Sequence, residues 1–169
     1  MINLFASLSE PLLVNKNFQN YVLMGGFISI ILLFSSNISL AFSLMDVQIF
    51  RNSLTDIVNK SQNLTRSYND KDRILQNTER SNNSRIELID LFLPKFESLL
   101  KNATSIDYPP DLKYVHDALV NSLKSETDSY KHDRNYFVSG NKTEAFIASD
   151  LFNNASRYEL IYAKFLASQ

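Results

Sequence analysis

The sequence predicts an all-α fold, and three observations carry that reading. Apolar residues recur at steps of three and four along most of the chain, the period of a single helix face. Only three Gly and four Pro interrupt 169 residues, so helices can run long. No segment shows the period-two alternation of a half-buried strand. The expected architecture is an N-terminal transmembrane helix continuing into an extracytoplasmic up-down four-helix bundle.

The first element is set by "YVLMGGFISIILLFSSNISLAFSLM", Tyr21–Met45, 25 residues without a charge. A hydrocarbon layer about 30 Å thick takes roughly 20 helical residues. Residues 1–20 then form a short cytoplasmic or interfacial segment, 21–45 the span, and 46–169 the exported bundle. A signal peptide is the rival reading, with Ala41-Phe42-Ser43 as a small-x-small cleavage site. Cleavage near Ser43 would leave a secreted helical protein. Within the span Gly25 and Ser29, and likewise Ser35, Ser39 and Ser43, recur at every fourth position, a spacing that lets membrane helices pack closely.

Orientation is nearly balanced by the positive-inside comparison, since Lys16 precedes the span and Arg51 and Lys60 follow it. Asn-x-Ser/Thr acceptors tip it outward. They occur after the span at Asn63, Asn82, Asn102, Asn141 and Asn154, and they have meaning only on an exported surface. The expected location is the cell membrane, single-pass, with the C-terminal domain outside and lipid contacts through residues 21–45.

The bundle helices are expected near 47–80, 84–104, 109–138 and 142–168. The first carries Val47, Phe50, Leu54, Ile57, Leu64, Tyr68 and Leu75, with Ser61 and Lys71 on the beats where apolar residues are missing. Nothing between Met45 and Val47 breaks a helix, so the span is expected to continue to about Thr78. Ser84 and Glu87 stand at capping-box spacing before the second helix, and Pro94 predicts a kink or short break within it. "SIDYPPDL" separates the second helix from the third, which should begin near Pro109. Gly140 ends the third as a left-handed cap, and Asn141 with Glu144 opens the fourth. A loop this short makes the last two helices an antiparallel hairpin.

Composition excludes several functions. Without Cys there are no disulfides, thiol nucleophiles or thiolate metal sites. A net charge of −1 and the lack of a basic run point away from nucleic acid. His116 and His132 are 16 residues apart on one helix, about 24 Å along its axis, too far to share a metal. A metal near His132 and Asp128 would need Glu144 or Asp150 from the next helix. No Gly-rich elbow or phosphate loop exists, and "DKDR" at Asp70–Arg73 alternates charge as a solvated face does. The expectation is a non-enzymatic protein without cofactor or metal. It would work by protein–protein contact, with a protein partner or a second copy, as an accessory subunit or envelope scaffold.

Tyrosines Tyr108, Tyr114, Tyr130, Tyr136, Tyr158 and Tyr162 lie toward helix ends and are a candidate contact surface. The alternative function is a ligand-binding module holding a small apolar molecule among Phe92, Phe96, Tyr130 and Phe137. The "YPPDLKYVHDALVNSLKSE…" hairpin resembles the paired-helix modules common in exported prokaryotic proteins, and the chain as a whole resembles the extracytoplasmic four-helix sensor domains of chemoreceptors and histidine kinases. That resemblance implies ligand sensing. With no second span and no output domain after it, the signal is expected to pass through a partner.

Overall fold

A computed structural model describes the backbone of residues 16–78 and 81–168, and side chains over 44–78 and 81–168. The chain divides into two compact units, residues 1–42 and 43–169, and the side-chain contacts described below lie in the second. Most of the segment 21–45, with Gly25, Ser29, Ser35, Ser39 and Ser43, falls outside the described side chains. Among the described residues no helix is long and apolar enough to cross a membrane.

The described residues are helical, without strands: α1 Lys16–Thr78, α2 Asn82–Thr104, a 3₁₀ turn Pro110–Leu112, α3 Lys113–Ser139 and α4 Lys142–Ala167. Each boundary has a local cause. Ser81, extended at ψ 136°, accepts the Asn83 N–H and caps α2, one turn earlier than the Ser84 box suggested. Pro94 does not interrupt α2, whose assignment runs through it unbroken. Pro109 and Pro110 favour the tight first turn, so the 3₁₀ segment precedes the regular helix. Gly140 takes φ 70°, where a β-carbon would be strained, and its N–H closes α3 on the Tyr136 carbonyl. Asn141 then caps α4 by accepting the Thr143 N–H at 3.0 Å.

Two buried clusters hold the helices together. The first joins Phe50, Leu54 and Ile57 of α1 with Leu99 and Ala103 of α2, Val115, Leu119 and Leu123 of α3, and Tyr162 of α4. The second is aromatic, with Tyr68 of α1, Phe92 and Phe96 of α2 and Tyr130 of α3. The Phe50–Val58 stretch of α1 therefore meets the late parts of α2 and α4 and the early part of α3. Burying these side chains is the main stabilising term, roughly 25 cal/mol per Å² removed from water.

Polar contacts fix the register. The hydroxyls of Ser122 and Ser129 on α3 donate to the Ala155 and Ala148 carbonyls of α4, at 3.0 and 2.8 Å. Each pair is seven residues from the other on both helices, the repeat of two packed helices. Alanine on one side and serine on the other let the backbones come close enough for these bonds. Arg134 on α3 holds Asp90 on α2 bidentately, its Nε and Nη2 donating to the two carboxylate oxygens at 2.5 and 3.0 Å. Arg51 donates to the Phe165, Leu166 and Ser168 carbonyls at the end of α4.

Candidate binding groove between α1 and α4

The beat that Ser61 leaves empty on α1 has a structural counterpart. Beside it α1 and α4 do not close, and a groove of about 390 Å³ opens between them. Ser61, Gln62, Thr65 and Asn69 line it from α1, and Phe152, Ser156, Glu159 and Tyr162 from α4. Ser122 and Glu126 of α3 form its floor. A second hollow of about 430 Å³ continues along the same seam, sharing Asn69 and Phe152, and reaches Asp72, Arg85 and Asp133.

Glu126 is the unusual member. Its side chain is only 9% exposed. The Thr65 hydroxyl donates to Oε1 at 2.7 Å, and the Tyr130 hydroxyl donates to the same oxygen at 3.3 Å. Burial pushes the carboxyl above the usual glutamate range, the two hydrogen bonds pull it part of the way back, and the Glu159 charge adds to the rise. Tyr162 on the neighbouring wall is pushed up to about 12, chiefly by burial. In the second hollow Asp133 is raised by burial and by Asp72, against the opposing charges of Arg85 and His132.

A raised folded-state pKa gives a definite sign for stability. Folding favours protonated Glu126, so its contribution is complete below the unfolded-state value and is lost as pH rises through the folded-state value. Glu126→Gln keeps an acceptor for Thr65 and Tyr130 but carries no charge. The variant is therefore expected to lose less stability than the wild type between about pH 5 and about pH 8, where an ordinary glutamate is already ionised. Urea unfolding at both pH values checks this. Parallel pH profiles for the two proteins would contradict it. Glu159, Arg66 and Asp70 also border the groove, and they are common to both proteins.

The sequence-predicted residues are placed as follows. Tyr130 and Tyr162 are largely buried, and each borders one of the hollows along the α1–α4 seam. Both sit on the inward stripe of their helices, where a large ring fills space between neighbours. Tyr114 and Tyr108 are exposed near the start of α3, whereas Tyr136 and Tyr158 are half-buried elsewhere on α3 and α4, so the six do not gather into one patch. The proposed apolar cavity is filled by its own lining. Phe96 stacks on Tyr130 at 4.6 Å between centroids, Tyr68 meets Tyr130 at 4.7 Å, and Phe92 meets Tyr68 edge-on at 5.6 Å. Phe137 packs against this cluster.

Of the metal candidates, His132, Glu144 and Asp128 are engaged in ion pairs, and Asp150 is exposed. His132 Nδ1 lies 2.7 Å from Glu144, bridging α3 to α4, and this holds the Glu144 carboxyl below its usual range. Asp128 pairs with Lys124 and Lys131. Among the described residues no three metal-type side chains converge. His116 is buried against Tyr108, its ring stacked at 4.2 Å and its Nε2 bonded to the Ala103 carbonyl at 3.1 Å.

Asn63, Asn82, Asn102, Asn141 and Asn154 are all exposed, and Asn59-Lys60-Ser61 is a further triplet of the same form with an exposed asparagine. Glu126 and Arg51 were not singled out by the sequence reading. Nothing local marks a glutamate on an inward helical beat as a floor residue until the facing helix is known to leave that beat open. No family model matches the chain, and no curated protein or solved structure matches it.

Proposed function

We propose that the chain is a single-pass membrane protein whose bundle, outside the cytoplasm, acts by contact with a protein partner. Residues 21–45 anchor it, and its role is that of an accessory subunit or envelope scaffold without chemistry of its own. The observation that carries this reading is the uncharged segment together with the residues at its end and just after it. There Leu44, Met45 and Ile49 are exposed, at 67, 61 and 51%. Ile49 borders Tyr108 and the Pro109-Pro110 turn. Exposed aliphatic and tyrosine side chains suit the boundary between lipid and water.

The pairing of the core supports an up-and-down order, the Phe50–Val58 stretch of α1 against late α2 and late α4. Outward-facing Phe146 and Leu160 on α4, each 71% exposed, supply apolar area for a partner.

Photo-crosslinking from positions 146 and 160 in native membranes tests the proposal. A discrete adduct with one protein, and extraction in an assembly larger than the monomer, are expected. A monomer without adducts in the membrane fraction would overturn it, as would recovery of the intact chain in the soluble fraction.

The open α1–α4 seam favours a second reading, a sensor-like module that binds a small ligand and passes the signal through the same partner.

A further inference from the structure

We propose that the α1–α4 groove is a binding site for a small organic ammonium ion, received by the carboxylate of Glu126. The inference deepens the ligand-binding reading by naming the class of ligand.

Three observations converge on it. The first is the space. At about 390 Å³ the groove lies within the range of small-molecule sites, and Ser61, Ser122 and Ser156 keep it open where larger side chains would close it.

The second is an uncompensated charge. Glu126 is nine-tenths buried, yet among the described residues neither it nor Glu159 forms an ion pair. Thr65 and Tyr130 both bond to Oε1, and Oε2 accepts no hydrogen bond among the described residues. The charge felt by Glu126 is that of Glu159, of the same sign. Arg66 lies at the groove's rim without offsetting it, and Asp70 there is paired with Arg73 at 3.4 Å. A buried carboxylate lacking a counter-ion is costly. Glutamine would meet Thr65 and Tyr130 equally well, so the two hydrogen bonds alone do not call for a charge at this position.

The third is the character of the walls. Phe152 and Tyr162 are aromatic members of the lining, the residue type that attracts a cation, and Gln62 and Asn69 are lining amides with acceptor oxygens for its N–H groups. Two carboxylates in one groove repel an anion and leave a neutral alcohol without its best partner. An ammonium ion satisfies Oε2 and the charge together.

The test uses the full-length chain in detergent micelles, with pentane-1,5-diamine as the probe and pentanoate and 1-pentanol as controls. Calorimetric titration and thermal unfolding are read for each. The diamine is expected to bind saturably and raise the unfolding temperature, and the controls are not. Glu126→Gln should weaken diamine binding at least about tenfold, and Glu87→Gln, an exposed acid on α2 away from the groove, should leave it unchanged. Ser61→Leu, which fills the groove without altering charge, should also abolish binding. Lack of saturable diamine binding, equal binding of pentanoate, or undiminished binding by either groove variant overturns the proposal. The outcome of membrane crosslinking is independent of all these results, so the failure of one reading is distinguishable from failure of the other.

Discussion

Replacing Phe96 with alanine is expected to lower the unfolding free energy by about 3–5 kcal/mol, the range for removing a large aromatic side chain from a packed core. Phe96 is 2% exposed and lies where α1, α2 and α3 meet. Its ring stacks on Tyr130 at 4.6 Å and meets Tyr68 at 6.5 Å. The deletion removes transfer energy and leaves a cavity whose walls are rings, which cannot collapse into it without leaving their rotamers. Tyr130 also helps to hold Glu126, so the loss should spread to the groove. Phe96→Leu, which refills most of the volume, should recover much of the difference. Urea unfolding followed by circular dichroism measures both. A cost below about 1 kcal/mol for the alanine variant would mean that this cluster is not packed as described.

Arg51→Ala is expected to cost about 2–3 kcal/mol, because one side chain serves several purposes. Its guanidinium donates to the Phe165 and Leu166 carbonyls at 3.2 and 3.3 Å and to the Ser168 carbonyl at 3.2 Å. These groups lie at the end of α4, where carbonyls lack partners within the helix and the dipole is negative. The same group lies 4.5 Å above the Phe165 ring, which itself packs against Phe50. Arg51→Lys should recover only part of the loss, since an ammonium is a point donor and cannot span three acceptors as the planar fork does. Amide hydrogen exchange in the last turn of α4 should accelerate in the alanine variant while exchange near Leu119 changes little. Unaltered exchange in that turn would show that the carbonyls are satisfied in another way.

The helices were legible because their signals are local. Steps of three and four placed Phe50, Leu54, Ile57 and Tyr68 on the inward face of the first helix, and they are buried there. Gly140 and Asn141 acted as their chemistry requires, because a cap involves only its immediate neighbours. Pro94 misled in the other direction, since neighbouring packing by Phe92 and Phe96 holds α2 through a residue that would break an isolated helix. The cap of α2 was placed one turn late, because Ser81 and Ser84 are both competent and the choice depends on how the chain arrives from α1.

Sites that join distant positions were harder to read. Arg51 finds its carbonyl acceptors 114, 115 and 117 residues away, and Thr65 meets Glu126 across 61. No local pattern records such pairs. The empty beat at Ser61 was nevertheless visible in the sequence as a missing apolar residue, although not as the mouth of a groove. Tyr130 and Tyr162 lie on the apolar stripe of their helices, and the stripe decides burial before the hydroxyl does.

The serine-to-carbonyl bonds between α3 and α4 bear on how the bundle deforms. Ser122 and Ser129 tie α3 to the backbone of α4 at two levels. Between α1 and α4, by contrast, the seam opens beside Ser61. Strain applied to the molecule should therefore part the first helix from the other pair before it pulls that pair asunder. The C-terminal hairpin would act as the anvil and α1 as the lever.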